Sequence, residues 1–225
     1  MNVVYALTRN IYDWIVPSVK SLAAHNKNVR LFIVCEDDEF PIDLPIKPEV
    51  INVTNQSYFA EDSINYKSIF KYINLLKVCY ASLLPVNKVI HLDVDTIVCK
   101  PLDELWKTDM TGKWFGAVQE YRGRYRPFGD AYWNAGVLLL NLQQIRKDGQ
   151  ERKYVEYLNN VKTPFVDQDA WNFYAKDRVV SLDPVWNESD VTRESSDPGI
   201  VHYCGIVNWW DNPNMKRVEY LNKYR

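Results

Sequence analysis

Two carboxylates stand at the end of an apolar run: Lys88-Val-Ile-His-Leu92 leads directly into Asp93-Val94-Asp95. Side chains alternate along a strand, so residues two apart share a face and both carboxylates are offered to one ion. Hard divalent cations such as Mn²⁺ or Mg²⁺ prefer this oxygen ligation, usually with few protein ligands plus the phosphates of a substrate. The plain alternative is an acidic strand end facing water. Acids directly after a buried strand are costly without a partner, which favours the ion. His202, in Ile200-Val-His-Tyr-Cys-Gly205, closes another apolar run, and neutral imidazole suits Mn²⁺ as a third ligand. A hydrogen-bonded core histidine has the same signature, so both readings stay open. Of the other histidines, His25 ends a helix, and His91 shares the face of Asp93 but lies two residues back inside the sheet.

Lys77 sits beside the apolar stripe of a helix, where a cation can meet a phosphate; taken alone, it reads as a side chain snorkelling to solvent. Asn134-Ala135-Gly136 opens a strand and Asp167-Gln168-Asp169 opens a helix. Amides and carboxylates at such places are ordinary turn and cap chemistry, and they also suit the hydroxyls of a sugar. Tyr121-Arg-Gly-Arg-Tyr-Arg126 interleaves aromatic rings with cations. One such loop in a weakly acidic protein is thin support for nucleic-acid stacking, and an anionic or sugar substrate, or plain surface, fits it better.

The elements around these residues follow from hydrophobic periodicity. Val3–Leu7, Val29–Cys35, Glu49–Val53 and Lys88–Leu92 read as strands in the first half, with helices over Tyr12–His25 and Asp62–Leu84. The second of these, with Ile69, Ile73, Leu76, Tyr80 and Leu83 on one stripe, is the clearest helix in the sequence. In the second half Trp114–Val118, Gly136–Leu140, Arg178–Leu182 and Ile200–Tyr203 read as strands, and Leu142–Ile145, Arg152–Asn159 and Gln168–Ala175 as helices, with a polar loop over Gln119–Trp133. The fold class is therefore α/β: a Rossmann-like, mixed but mostly parallel central sheet with helices on both faces. Ligands of such sheets bind at the carboxyl ends of the strands, where Asp93 and Asp95 fall.

Composition removes several classes of function. The 225 residues are 47% hydrophobic and 25% charged, with 27 Lys+Arg against 29 Asp+Glu and a net charge of −2. That balance excludes collagen-like and disordered chains and argues against nucleic-acid binding through bulk charge. No apolar run reaches the ~18–20 residues of a transmembrane helix. The opening Met1–Asn10 reads as a first strand, with neither the basic region nor the cleavage site of a signal peptide. The four cysteines show no metal-binding spacing and read as reduced. The Asn-x-Ser/Thr triplets at Asn52, Asn55 and Asn187 read as chance. A cytoplasmic protein is expected. Peripheral membrane contact through the basic tail (Lys216, Arg217, Lys223, Arg225) stays open, and a solvated face is the commoner outcome.

Taken together, the motifs resemble glycosyltransferase family eight, the retaining GT-A-fold enzymes that include glycogenin and the bacterial lipopolysaccharide galactosyltransferases. The resemblance runs from Ala6-Leu7-Thr8-Arg9-Asn10 and Tyr12 through Lys77, sixteen residues before Asp93, and His91–Val98. It continues with Asp130–Leu142, Val166–Asn172 and His202–Trp210. It implies a single GT-A domain over residues 1–225, with 1–100 as the nucleotide-binding half and 101–225 as the sugar and acceptor half. It implies that Asp93, Asp95 and His202 hold Mn²⁺ (or Mg²⁺) against the diphosphate of a UDP-sugar. Ala6, Leu7, Thr8, Asn10, Tyr12 and Val94 would line the nucleotide, Lys77 would reach its phosphate or sugar side, and Gly205 and Asn208 would lie at the diphosphate. Asp130, Asn134, Ala135, Asp167 and Gln168 would surround the transferred hexose, whose acceptor is a glycan or another hydroxyl.

Two departures qualify that picture. The family's last motif usually runs Gly-x-x-Lys-Pro-Trp, and here it is Gly205-Ile-Val-Asn208-Trp-Trp210. Asn208 carries no charge, which implies weaker leaving-group stabilisation or a cation borrowed from Arg122, Arg124 or Arg126. Arg9 stands where many members carry an acidic or small residue, which leaves base and sugar open. Two other readings compete: a nucleotide-sugar-binding module of weak or lost turnover, and a haloacid-dehalogenase-type phosphatase with Asp93 as nucleophile. The latter expects its Asp-x-Asp near the N-terminus and a Gly-Asp-x-x-x-Asp motif later, and this sequence has neither.

Overall fold

The computed structural model describes residues 1–68, 72–121, 131–205 and 209–225. In the first half β1 (Asn2–Ala6), β2 (Arg30–Cys35), β3 (Pro48–Asn52) and β4 (Lys88–Leu92) form a parallel block, with α1 (Ile15–His25) between the first two. The chain then adds the short β5 (Thr96–Val98), α4 (Asp103–Lys107), β6 (Phe115–Ala117) and β7 (Val137–Asn141). After α5 (Leu142–Lys147), α6 (Gln150–Asn160) and α7 (Val166–Ala175) come β8 (Val179–Ser181), β9 (Ile200–His202) and α8 (Val218–Asn222).

Among the described residues the main sheet runs β3-β2-β1-β4-β7-β6-β8. Only β7 opposes its neighbours, pairing antiparallel with β4 and β6, so the sheet is mixed but mostly parallel as expected. Strands from both halves of the chain share it. Alternation sends Val4, Phe32, Val34, Val89, Leu138 and Leu140 to one core, packed against α5, α6 and α7. Val3, Tyr5, Leu31, Ile33, Ile90 and Leu139 fill the opposite core, where Ile15, Val19 and Leu22 of α1 meet them at helical spacing. Both faces are thus covered, which explains why β1, β2 and β4 read as near-continuous apolar runs.

A separate two-stranded ribbon matters more for the site. In it β5 pairs antiparallel with β9, opposing Thr96 to His202 and Ile97 to Val201, and Tyr203 N–H donates to the Asp95 carbonyl at 2.9 Å. The short β5, the helix α4 and the tail helix α8 are too brief to announce themselves by periodicity.

One expectation needs correction. The single helix over Asp62–Leu84 is absent: described residues 61–68 form turns, and helical structure comes in short pieces. These are α2 (Tyr72–Leu75), a 3₁₀ turn (Leu76–Cys79) and α3 (Tyr80–Leu83). Ile73, Leu76 and Tyr80 are nevertheless buried in one core and Leu83 packs against it, while Ile69 lies outside the described residues. The stripe reported a buried face and not an unbroken hydrogen-bond ladder. Similarly, the helix expected from Tyr12 begins at Ile15, after a 3₁₀ turn over Arg9–Trp14.

No helix among the described residues is long and apolar enough to cross a membrane. The four cysteines are free thiols. Two of the tail cations make ion pairs within the chain: Lys216 at the surface with Glu194 and Asp190, and Arg217 with the buried Glu188.

Candidate active site

The apolar strand β4 delivers Asp93 to its carboxyl end, where two cationic or N–H donors meet one carboxylate oxygen. Lys77 Nζ donates to Asp93 Oδ1 at 2.6 Å, and His91 Nε2 lies 3.0 Å from the same atom. A carboxylate only accepts, so His91 carries its proton on Nε2, and its Nδ1 accepts from the Tyr80 hydroxyl at 3.1 Å. Both donors converge on Oδ1, which leaves the second oxygen of Asp93 for an ion. Lys77 does not snorkel: it is buried, and it also lies 3.9 Å from Asp167 Oδ2. Burial works against its charge, but Asp167 and Asp93 outweigh it and hold the ammonium well above its ordinary value. Burial likewise tends to raise Asp93, yet Lys77 and His91 hold that carboxyl well below the usual range.

His202 arrives from the other direction on β9, with Nε2 3.3 Å from Asp95 Oδ1. One ligand atom from each of Asp93, Asp95 and His202 lies within 4.8 Å of the others. Two carboxylates and an imidazole, with room for further oxygens in the cavity before them, fit one Mn²⁺ or Mg²⁺ ion. Burial disfavours the imidazolium, but Asp95 and Asp93 outweigh it and raise His202 above its ordinary value. The ring lies directly on Gly136: a Cβ at that position would come 2.0 Å from His202 Cε1. Asn187 Oδ1 sits 2.9 Å from the ring's Nδ1.

The opposite wall is built by the entry to β7 and the first turn of α7. Ala135 N–H donates to Gln168 Oε1 at 2.9 Å, and Gln168 Nε2 donates to Glu120 Oε1 at 3.1 Å. Asn134 Nδ2 donates to the same Glu120 oxygen at 2.8 Å. Asp167 is buried beside Lys77, and its Oδ2 has no hydrogen-bond partner among the described residues. Burial pushes its carboxyl up to about 7; Lys77 opposes that rise and the charge of Asp93 adds to it. These groups and the Asp93–Asp95–His202 cluster line one cavity of about 600 Å³.

Asn134, Ala135, Asp167, Gln168, Lys77 and Gly205 from the sequence reading therefore share a cavity with Asp93, Asp95 and His202. The residues expected at the nucleotide lie beside that cavity and do not line it. Ala6, Leu7, Thr8 and Tyr12 are buried and Asn10 is exposed, at the end of β1 next to β4. Thr8 Oγ1 donates to Asn10 Oδ1 at 2.6 Å, and the Tyr12 hydroxyl to Asp37 at 2.8 Å. Arg9 pairs with the same Asp37 carboxylate at 2.8 Å. Val94 is half-buried between the two acids. Asp130, Asn208, Arg122, Arg124 and Arg126 lie outside the described residues.

Four polar residues at the site escaped the sequence reading: Asn74, Glu120 and Asp190, which line the cavity, and Asn187 behind His202. Glu120 carried a usable signal, since it follows the apolar Phe115–Val118 as Asp93 follows β4. Asn74 and Asn187 carried none.

A family model described as Glycosyl transferase family 8 matches residues 2–213. The chain belongs to glycosyl transferase family 8. Among curated relatives, it is 27% identical over 223 residues to glycosyltransferase GlyA of Streptococcus pneumoniae, covering 92% of this chain but 32% of GlyA. The chain thus spans about a third of that relative's length. Among solved structures it superposes on the galactosyltransferase LgtC, crystallised with donor and acceptor sugar analogs, with a TM-score of 0.77 and 23% identity. That match covers 100% of this chain and 95% of LgtC. Glycosyltransferase GlyE of S. pneumoniae gives a TM-score of 0.72 at 21% identity, covering 99% of this chain and 59% of GlyE. At these identities the superpositions establish the GT-A fold. Family membership also leaves the phosphatase reading without support.

Proposed function

We propose that the chain is a metal-dependent, retaining hexosyltransferase that moves a sugar from a UDP-sugar to a glycan or other hydroxyl acceptor. The observation that carries this is the convergence of Asp93, Asp95 and His202 with Lys77 and Asp167 in one cavity at the carboxyl end of β4. The likeness to LgtC supports a donor and an acceptor sugar meeting in the same place.

In this reading Asp93, Asp95 and His202 hold Mn²⁺ or Mg²⁺. When bound, the ion supplies Lewis-acid compensation for the charge that builds on the departing diphosphate. Lys77 keeps Asp93 ionised and adds a fixed positive charge to that side of the cavity. Asp167, with its carboxyl raised to about 7, stands on the sugar side, where its buried, unpartnered Oδ2 has hydrogen-bonding capacity for a sugar hydroxyl once the donor is seated. Gln168 is held rigidly, with its oxygen facing Ala135 N–H and its nitrogen facing Glu120, so it acts as an orienting group. Asn134 and Ala135 complete the sugar side. The nucleotide lies over the ends of β1 and β4, near Thr8, Asn10 and Val94.

Thermal unfolding with UDP, GDP, ADP and CMP, each with and without Mn²⁺, tests the reading beside an Asp95→Ala control. A ligand at a hundredfold its Kd adds about 2.7 kcal/mol, or roughly 5–10 °C for a chain of this size. A shift specific to UDP, dependent on Mn²⁺ and lost in Asp95→Ala, is expected. No shift with any nucleotide rejects the proposal. Binding without donor hydrolysis or transfer identifies a nucleotide-sugar-binding module instead.

A further inference from the structure

We infer that Asn187 is a positioning residue for His202, fixing which ring nitrogen is offered to the metal, and that the backbone N–H of Gly136 dictates its orientation. The inference rests on the metal-site reading above. It concerns residues that the sequence pattern did not connect with the site.

The argument turns on direction. An amide side chain can be turned end for end with almost no change of shape, so its orientation needs an outside reference. A backbone N–H supplies one, because it cannot turn. Gly136 N–H donates to Asn134 Oδ1 at 3.0 Å, which fixes the oxygen end of Asn134. Asn187 Nδ2 donates to that same oxygen at 2.8 Å, so the Asn187 oxygen must face the other way. It faces His202 Nδ1 at 2.9 Å. A carbonyl oxygen only accepts, so Nδ1 keeps its proton, and Nε2, which faces Asp95 Oδ1 at 3.3 Å, is the nitrogen that gives up a proton to an incoming metal and ligates it.

The reverse arrangement is costly at every link. Turning Asn187 would set its oxygen against the Asn134 oxygen and its NH₂ against Nδ1, moving the ring proton to the ligating nitrogen. Asn187 is 0% and Asn134 2% exposed, so water cannot repair either mismatch. The backbone of Asn187 is held as well. It ends the 3₁₀ turn Pro184–Asn187, whose Asp183 side chain accepts from Val185 N–H, and its own carbonyl accepts from Thr192 Oγ1 at 2.5 Å. Gly136 acts twice, as the reference donor and as the residue without a Cβ on which the His202 ring rests. Its burial also removes Asn187, despite its Asn-Glu-Ser triplet, as a glycan acceptor.

Two measurements test this. The first uses the wild-type chain with ¹⁵N-labelled histidine, of which there are three residues, and Zn²⁺ as a diamagnetic probe. The expected spectrum places the His202 proton on Nδ1; a proton on Nε2 overturns the inference whatever any variant does. The second measures Mn²⁺ affinity of the nucleotide-free protein from the electron paramagnetic resonance of the free ion. Asn187→Leu should bind about 10–100-fold more weakly. Asn187→Asp, which still accepts from Nδ1–H but as a carboxylate sets its other oxygen against Asn134 Oδ1, should lose less affinity than Asn187→Leu. If Asp95→Ala binds Mn²⁺ as wild type does, the metal-site reading itself fails. If binding depends on Asp95 but Asn187→Leu binds normally, or Asn187→Asp falls as far as Asn187→Leu, the role of Asn187 alone is overturned.

Discussion

The ammonium of Lys77 lies 2.6 Å from Asp93 Oδ1, an ion pair between a buried cation and a carboxylate that borders the cavity. The same cation is shared with Asp167, so it compensates two acids at once. Lys77→Met leaves both without a counter-charge. Breaking such a pair costs roughly 3–5 kcal/mol when both partners are buried, and the partly open side of Asp93 places this one near the lower figure. Urea unfolding at neutral pH should show that loss.

Asp167 gives the site a pH dependence with a defined sign. Its folded-state value is raised to about 7, so between roughly pH 4 and 7 the folded chain binds a proton that the unfolded chain has released. Its contribution to stability is therefore full below pH 4 and is lost as pH rises through 7. Asp167→Asn removes this term. The stability of the variant relative to wild type should rise with pH by up to ~1.4 kcal/mol per unit between pH 5 and 6, and level off above 8. A parallel pair of curves contradicts it.

Gly136 is irreplaceable for a steric reason. A Cβ there would sit 2.0 Å from His202 Cε1 and 2.6 Å from Nε2, so the imidazole has to leave its place. Gly136→Ala should cost about 1–3 kcal/mol of stability. It should also abolish Mn²⁺-dependent thermal stabilisation. An unchanged Mn²⁺ shift would show that His202 is not a ligand.

Glu120 accepts from Asn134 and Gln168 through one oxygen. Glu120→Ala removes the carboxylate acceptor of both NH₂ groups and leaves Asn134 the weak Cys204 Sγ contact at 3.7 Å, at about 1–3 kcal/mol for each group that stays buried. It also frees Gln168 to drift, and a misplacement of about 1 Å costs roughly 10²-fold in turnover. Glu120→Gln keeps the accepting oxygen and should retain most of both. Equal damage from the two variants would show that charge, and not acceptance, is what Glu120 supplies.

The strands were legible because burial on both faces leaves long apolar runs, as in Arg30–Cys35 and Lys88–Leu92. Asp93 and Asp95 were legible for the same reason, as charges where such a run stops. Lys77 misled because its sequence neighbours suit a solvent-edge cation, whereas its partners, Asp93 and Asp167, come from β4 and α7. The segment after Asp62 misled in another way: Ile73, Leu76 and Tyr80 keep helical spacing while the backbone tightens to 3₁₀ over Leu76–Cys79. Asn187 was invisible because its role is set by the direction of one amide, which no spacing encodes.

The pairing of β9 with β5 has a consequence for synthesis. Asp93 and Asp95 emerge from the ribosome more than a hundred residues before His202, and the ribbon that seats His202 opposite Thr96 forms only after both strands exist. Domains fold as units while the chain is made from its N-terminus. The strands β1 to β4 and the two acids that follow them are made well before β9, so for that interval the acids have no third ligand beside them. If the metal-site reading holds, the three ligands are thus complete only once β9 has been made, and a product cut short before His202 keeps the two acids but lacks the imidazole.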